Sequence, residues 1–383
     1  YYALCGTRDG RTMKRSIYAI LLSIFTAMFT AGTRGDETRL ATKWQSLDAD
    51  GDGAVTPAEL HPIQARVMSA HDANGDGNIS LAEYVSYDRD PGNAANVAIP
   101  DSIELIEDLP YAGTSDPRQR LDLFLPGERT ADKPLPVIAY IHGGGWEMGS
   151  KVMARHQMIP LVATGRFAAV SIGYRLSWQS TWPAQVHDIK AGIRWIRANA
   201  DKYGLDPSRI CAFGPSAGGH LAAMLGTTNG VDSLEGELGQ QVDQASDVLC
   251  AVDFFGPAEL RNGDAVDQRG NPSMITKLLG SAPADVPDLA ASASPVHHVD
   301  SEDVPFLIVH GTRDPLVKYS QSELLAATLR EADVPVTFIT VKGGGHGDFA
   351  AVFPELNARV AAFLEKQFYD AAIEVPADAI DME

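Results

Sequence analysis

The chain has 383 residues, of which 45% are hydrophobic and 21% are charged. This balance is typical of a folded globular protein and excludes a disordered one, and the length allows a large core with a small extra module. The 50 acidic residues outnumber the 31 basic ones, which gives a formal net charge of −19. Because nucleic-acid binding needs a basic surface, the composition argues against nucleic acid as a partner.

The first 35 residues have the pattern of a secretory signal peptide. Met13, Lys14 and Arg15 give a basic start, residues 17–29 form an apolar run, and small residues follow at 31–33. The run is shorter than the ~20 residues that span a bilayer, so a retained anchor is the less favoured alternative. We therefore expect a periplasmic or secreted protein with no stable membrane span after cleavage, and residues upstream of the methionine are given no structural role.

Two twelve-residue segments, 48–59 and 72–83, match the EF-hand calcium loop at each diagnostic position. Calcium prefers about six to eight oxygen ligands, and the EF-hand loop supplies them from positions 1, 3, 5, 7 and 12. Glycine stands at position 6 of both segments, where the loop turns sharply. The predicted ligands are Asp48, Asp50, Asp52, Ala54 and Glu59 in the first loop, and Asp72, Asn74, Asp76, Asn78 and Glu83 in the second.

The sequence of these loops has an alternative interpretation that requires no metal ion. Thr56 and Ser80 each precede a glutamate by three residues, which is also the pattern of a helix capping box. Val55 and Ile79 occupy position 8 and are expected to pair in a short antiparallel bridge. One short helix within 60–71 is expected to serve both hands. Two complete matches favour calcium, in a structural role rather than as a switch.

From about residue 105, short apolar runs alternate with amphipathic stretches, the clearest at 185–203 and 320–331. This alternation predicts an α/β fold with a mostly parallel sheet covered by helices on both faces. The predicted strands are 121–125, 136–141, 168–174, 210–213, 248–255, 306–310 and 336–341. The expected divisions are signal peptide and upstream residues at 1–35, an all-α EF-hand pair at 36–86, a linker at 87–104, the main domain at 105–370 and an acidic tail at 371–383.

Three loops that follow predicted strands carry a candidate nucleophilic serine and the histidine and carboxylate that it would need. Residues 214–218 (GPSAG) lie between a strand and a helix, the context in which G-x-S-x-G exposes its serine, Ser216. A serine needs a histidine to accept its proton and a carboxylate to orient that histidine. His346, in a glycine-rich loop, and Asp314, just after a strand, are the candidates. Asp253 and Asp348 are the rival acids.

A glycine-rich loop after the strand at 136–141 predicts an oxyanion hole. It reads HGGGW, and its first residue, His142, is expected to be an orienting or structural histidine rather than a catalytic one. Glycines let backbone amides approach a developing oxyanion, and removing one such donor typically costs about 10²–10³ in rate. The expected donors are the amides of Gly144, Gly145 and Ala217. Trp146 is the candidate substrate-binding residue, with core packing as its alternative.

As a set, five segments resemble the esterase/lipase branch of the α/β-hydrolase superfamily: HGGGW, DIKAGIRWIRANADKYGLDP, GPSAGGHLA, HGTRDPLV and GGGHGDF. That branch includes hormone-sensitive-lipase-like and bacterial feruloyl-esterase-like members. The resemblance covers roughly residues 105–367 and not the EF-hand pair. It implies an α/β-hydrolase fold, a carboxylic-ester substrate, and the roles given above to Ser216, Asp314, His346 and the HGGG loop.

The sequence therefore predicts a secreted serine ester hydrolase that acts through an acyl-enzyme, on small-molecule or carbohydrate esters bearing acetyl or feruloyl groups. A prolyl-oligopeptidase-like peptidase and a calcium-dependent binding protein with an inactive hydrolase domain are the alternatives. Calcium is not expected to take part in the chemistry, so chelation is expected to leave the turnover of short esters nearly unchanged.

Overall fold

The computed structural model describes residues 34–60, 68, 71–89, 94–130, 133–264 and 272–382. The apolar run of the predicted signal peptide and most of the helix predicted between the calcium loops lie outside the described residues. Within the described ranges, no helix has both the length and the apolar character needed to cross a membrane.

The EF-hand pair is a small unit with its own core. Among the described residues, its helices include α1 (Arg34–Leu47) and α2 (Leu81–Arg89), and a short 3₁₀ helix lies at Pro57–Glu59. The predicted bridge is confirmed, since Val55 and Ile79 exchange backbone hydrogen bonds of 3.1 and 2.8 Å. The buried core of this unit, hereafter the EF-hand core, consists of Leu40, Trp44, Val55, Leu60, Met68, Ile79, Tyr84, Val85 and Tyr87.

The main domain is built on one nine-stranded sheet in the described part of the chain, with the order β1-β2-β4-β3-β5-β6-β7-β8-β9. The strands are β1 (Ile103–Pro110), β2 (Arg120–Pro126), β3 (Leu135–Ile141), β4 (Ala168–Ile172), β5 (Leu205–Pro215), β6 (Cys250–Phe254), β7 (Phe306–Gly311), β8 (Val336–Lys342) and β9 (Ile380–Asp381). β2 is antiparallel to both β1 and β4, and the other neighbours pair in parallel. This confirms the predicted mostly parallel α/β fold.

Helices cover both faces of this sheet. They are α3 (Arg155–Val162), α4 (Ala184–Ala198), α5 (Ala200–Tyr203), α6 (Ala217–Thr227), α7 (Asp232–Glu235), α8 (Met274–Leu279), α9 (Pro287–Ser292), α10 (Ser320–Glu331) and α11 (Phe353–Tyr369). Short 3₁₀ helices lie at Ala94–Asn96, Lys151–Ala154, Pro283–Asp285, Pro295–His297 and Ala350–Val352. The helix predicted at 185–203 is thus divided in two, whereas that at 320–331 has the predicted bounds.

Successive strand residues point to opposite faces and so divide the interior into two cores. Val137 and Ala139 of β3 lie in the core under α4, α6 and α10, and Ile138 and Tyr140 lie in the core under α3 and α11. With both faces buried, the central strands are continuously apolar, as expected for parallel strands. Cys211 and Cys250 lie buried on the neighbouring strands β5 and β6 as free thiols.

The structure moves three of the expected divisions. Helix α2 continues to Arg89, three residues beyond the end expected for the EF-hand pair, and β1 begins at Ile103, inside the expected linker. Ile380 pairs with Val341 of β8, so the expected acidic tail adds a short edge strand. At the opposite edge, β1 has one buried residue and its other residues are half-buried or exposed, which explains why its sequence contains no apolar run.

Candidate active site

Ser216 lies in a strained turn between β5 and α6, at the carboxyl end of the sheet. Its φ of +55° is unusual for a residue with a side chain, and such conformations cost about 1–3 kcal/mol. The neighbouring glycines make the turn feasible, because a side chain on Gly214 would collide with the backbone of Gly218, and one on Gly218 with the carbonyl of Ile141. The Ser216 amide donates to the Phe254 carbonyl at 2.7 Å, which ties the turn to β6.

His346 and Asp314 meet Ser216 at this edge. His346 Nε2 lies 3.0 Å from Ser216 Oγ, and His346 Nδ1 lies 2.7 Å from Asp314 Oδ2. Ser216 and His346 are half-buried, and the Asp314 side chain is fully buried. The structure thus brings together the three residues that the sequence predicts, although 130 positions separate the serine from the histidine.

The Asp314 carboxylate contacts several groups besides His346. Its Oδ1 accepts the amides of Leu316 and Val317 at 2.8 and 2.9 Å, and its Oδ2 also lies 3.2 Å from Nε2 of His310. Burial alone would raise the pKa of Asp314, but the hydrogen bonds from His310 and His346 outweigh it and hold that pKa below its ordinary value. The carboxylate is therefore kept ionised beside the imidazole.

The sequence analysis missed His310. The histidine is the first residue of the HGTRD segment, four positions before Asp314, and its Nδ1 contacts Ser322 Oγ at 2.7 Å. Its position at the end of a strand, next to the predicted acid, was the available signal. Its contacts indicate that it helps to hold Oδ2, the carboxylate oxygen that also meets His346.

The rival acids lie elsewhere. Asp253 is buried on β6, where its Oδ1 accepts the Gly256 amide at 2.8 Å and burial raises its pKa to about 6. Asp348 is exposed on the loop beyond His346. The carboxylate in contact with the imidazole is that of Asp314.

The HGGGW loop lies directly against the serine. A side chain on Gly143 would approach Cβ of Ser216 to 3.5 Å and the Pro215 carbonyl to 2.8 Å. Gly144 has a φ of +109°, and its carbonyl accepts the amides of Glu147 and Met148, so the loop folds back on itself. The amide of Ala217 belongs to the first turn of α6, where N–H groups have no intrahelical partner. We call residues 143–149 the oxyanion loop.

Trp146 does not offer a face to solvent. It is 3% exposed, and its ring meets the ring of His220 edge-on at 5.1 Å between centroids. Trp182 is also 3% exposed, and its indole donates to Ser292. This burial favours core packing, the alternative given above, over substrate binding for Trp146.

Two buried histidines near the site predict acid sensitivity. Burial lowers the pKa of His142 to about 3 and that of His220 to about 4, although each ring also contacts a backbone carbonyl. An unfolded chain protonates these rings near 6.5, so below that pH the unfolded state binds more protons and stability falls.

From this difference in pKa, we expect His220 alone to lower the free energy of unfolding by about 2 kcal/mol when the pH falls from 7 to 5. Urea unfolding at both pH values checks the prediction, and H220N should lose less stability on acidification than the parent protein. H156N, at an exposed position, is the matched control and should behave like the parent. An equal loss in the parent and in H220N would refute the assignment.

The calcium loops have a geometry that fits a hard cation. Ligand oxygens of Asp48, Asp50 and Asp52 lie within 4.8 Å of one another. Asp48 Oδ2 accepts the Gly53 amide at 3.0 Å, and in the second loop Asp72 Oδ2 accepts the Gly77 amide at 2.9 Å, so the loops turn in the same way. An all-oxygen donor set is the chemistry that calcium prefers.

The capping-box alternative describes the same atoms. Glu59 Oε2 accepts the Thr56 amide at 2.7 Å, and Glu83 Oε2 accepts the Ser80 amide at 2.8 Å. The glutamate that closes each box is the residue at position 12 of the EF-hand loop. The capping contacts hold the two glutamates beside the loops, so the two interpretations are compatible.

Comparison with known proteins identifies the family. The BD-FAE family model matches residues 121–329, more than half of the chain. The chain belongs to the BD-FAE family of α/β-hydrolase esterases. This BD-FAE domain contains Ser216 and Asp314 within the matched range, and His346 follows it. The EF-hand model matches residues 45–61 and 63–86, so an EF-hand pair precedes the BD-FAE domain.

Curated relatives of the BD-FAE domain are esterases. The chain is 30% identical to esterase LipC of Mycobacterium tuberculosis over 66% of its length, and 32% identical to esterase LipQ of the same organism over 59%. It covers 63% and 52% of those two proteins, less than two thirds of each.

Solved structures of similar fold include a carbohydrate esterase and a thermophilic esterase. A truncated carbohydrate esterase from gut microbiota has a TM-score of 0.64 at 34% identity, over 70% of this chain and 98% of that one. Propionate-bound esterase 2 of Thermogutta terrifontis has a TM-score of 0.57 at 25% identity, over 72% of this chain and 97% of that one.

Proposed function

We propose that the protein is a serine carboxylic-ester hydrolase that works through an acyl-enzyme. The observation that carries the proposal is the continuous contact from Ser216 Oγ through His346 to Asp314. Such a contact supplies a nucleophile, a base and an orienting carboxylate in the order that acyl transfer needs. A complete contact of this kind also argues against the alternative of a binding protein with an inactive hydrolase domain.

In the acylation step, Ser216 Oγ bonds to the ester carbonyl carbon while its proton passes to His346 Nε2. The carbonyl electron pair moves onto oxygen, which faces the amides that we assign as donors, those of Gly144, Gly145 and Ala217. When the carbonyl re-forms, the bond to the alcohol oxygen breaks and the alcohol leaves with the proton from His346. Water then repeats the sequence on the acyl-enzyme, with His346 again taking and returning the proton.

Carbohydrate esters are the substrate class that we propose, with acetyl or feruloyl groups as the acyl part. The carbohydrate esterase of 34% identity supports this choice, as does the family match. The rim of the site contributes an apolar surface, because a side chain on Gly145 would meet the sulfur of Met274, which is itself 48% exposed. An exposed thioether next to the oxyanion loop suits the acyl or aromatic part of such an ester.

A panel of substrates tests the proposal. Purified protein is offered acetylated and feruloylated oligosaccharides, simple acyl esters of matched chain length, and a proline-linked peptide. We expect the highest kcat/KM on the carbohydrate esters and no cleavage of the peptide. Higher kcat/KM on simple alkyl esters would refute the carbohydrate preference, and peptide cleavage would favour the peptidase alternative.

We also propose that each EF-hand loop holds one calcium ion, through the ligands predicted above. Bound calcium would supply positive charge that neutralises the clustered carboxylates of each loop, such as those of Asp48, Asp50 and Asp52.

We also propose secretion, from the pattern of residues 1–35. Secretion would place the loops in millimolar calcium, and extracellular modules bind calcium at about 10⁻⁴–10⁻³ M. Sequencing the N-terminus of exported protein tests secretion, with cleavage expected near residues 31–36.

Removing calcium is expected to destabilise the protein. A ligand that binds only the folded state raises stability as its concentration exceeds Kd, so chelation should lower the melting temperature of the EF-hand unit. Differential scanning calorimetry with calcium and with chelator measures the shift. E59Q and E83Q together should abolish the shift, whereas E331Q, an exposed helix glutamate, should retain it. A shift that persists in the double variant would contradict the assignment.

A further inference from the structure

We propose that the EF-hand pair positions the oxyanion loop and that Met148 is the positioning residue through which it acts. The proposal rests on the esterase function given above and specifies how the same site is regulated. It revises the expectation from sequence that calcium is confined to a structural role away from the chemistry.

Met148 contacts both units at once. Its side chain packs against the EF-hand core, whereas its backbone is part of the oxyanion loop. Its amide donates to the Gly144 carbonyl at 3.1 Å, and its own carbonyl lies so close to Gly144 that a side chain there would collide with it. Any displacement of Met148 is therefore passed directly to a glycine assigned as an oxyanion donor.

Helices α1 and α2 of the EF-hand pair hold the residues on either side of Met148. The Gly149 amide donates to the carbonyl of Asp88, near the end of α2, at 2.8 Å. Lys43 of α1 lies 3.9 Å from Glu147 Oε1, and the same oxygen receives Lys277 of α8 at 3.0 Å. The segment 147–149 is thus fixed by an apolar contact, a backbone hydrogen bond and an ion pair.

One helix links this contact to the second calcium loop. Glu83, at position 12 of that loop, lies in the first turn of α2, and its Oε1 accepts the Ala73 amide at 2.9 Å. Asp88 is five residues further along the same helix, about 7.5 Å at 1.5 Å per residue. The placement of α2, and hence of the Asp88 carbonyl under Gly149, depends on how the loop holds Glu83.

Linkage gives this arrangement a measurable consequence. If occupation of the calcium loops favours the competent form of the oxyanion loop, a ligand in the oxyanion hole must tighten calcium binding by the same factor. A fluorophosphonate is a suitable probe, because Ser216 Oγ would bond to phosphorus with loss of fluoride and leave a phosphoryl oxygen in the hole. Calcium affinity then reports on the coupling without any measurement of turnover.

The experiment is a calorimetric calcium titration of the full chain, before and after labelling. We expect calcium Kd to fall about fivefold or more on labelling, the range typical of coupled sites. M148A should bind calcium and accept the label, yet lose the change in Kd, and its kcat should fall with KM nearly unchanged. M148L should restore the coupling. M158A is the matched control. Met158 is a buried methionine of α3, in the core under α3 and α11 rather than against the EF-hand core, so this variant should keep the coupling.

The outcomes separate the two proposals. If the parent protein is labelled and its calcium Kd does not change, the positioning proposal is wrong and the esterase proposal stands. If M148A and the parent show the same change in Kd, Met148 is not the link. If the parent fails to react with the fluorophosphonate, the esterase function is refuted, and the positioning proposal falls with it.

Discussion

Replacing Ser216 with alanine is expected to lower kcat on a short acyl ester by about six orders of magnitude. Ser216, His346 and Asp314 form one chain of contacts at 3.0 and 2.7 Å, and residues that act as a unit lose almost all their catalysis when the nucleophile is removed. The remaining rate over water would come from the oxyanion donors and from substrate binding. Initial rates of ester hydrolysis at saturating substrate measure the loss.

The control for this variant is S208A. Ser208 is an exposed serine of β5 that donates to Asp206 at 2.6 Å, so the same chemical change is made on the same strand away from the turn. S208A should keep the parental kcat. Activity of S216A within tenfold of the parent, with the melting temperature preserved, would exclude Ser216 as the nucleophile.

The second large effect is expected for D314N, with a fall in kcat of about 10⁴. The carboxylate fixes the tautomer of His346 and stabilises the imidazolium that forms, and an amide can do neither. Because Asp314 Oδ1 also accepts two backbone amides, the amide nitrogen of an asparagine is excluded from that side and is directed toward His346. That arrangement presents a donor to Nδ1–H and opposes the productive tautomer.

D348N is the matched control for D314N. Asp348 is exposed and lies two residues from His346, and it was one of the two alternative acids in the sequence. We expect D348N to keep nearly the parental kcat, and both variants to unfold at temperatures close enough for comparison at 25 °C. If D348N were the variant that lost activity, the orienting carboxylate would have to be reassigned.

The residues that could be predicted from sequence are those fixed by local geometry. G-x-S-x-G requires a strand before it and a helix after it, and Ser216 lies between β5 and α6 as expected. The EF-hand loops are equally local, since each carries its ligands within twelve residues. Their bridge, Val55 to Ile79, followed from equivalent positions in the two loops.

The features that sequence reasoning missed depend on contacts between distant elements. His310 is one of them, because only the completed fold shows that the end of β7 lies beside Asp314. The burial of Trp146, which the sequence left open against substrate binding, likewise depends on packing against His220 of α6. The contact of Met148 with the EF-hand core joins two units that sequence patterns treated as separate. No local pattern marks such contacts, because burial depends on which surfaces the completed fold brings together.

The most direct test of the central claim is to isolate the acyl-enzyme. The protein is quenched in acid during turnover of p-nitrophenyl acetate, digested and analysed by mass spectrometry, with S216A treated in parallel. We expect an acetyl group on Ser216 of the parent protein and none on the peptide of the variant. Acetylation of another residue with Ser216 unmodified, while hydrolysis proceeds at the parental rate, would contradict the account.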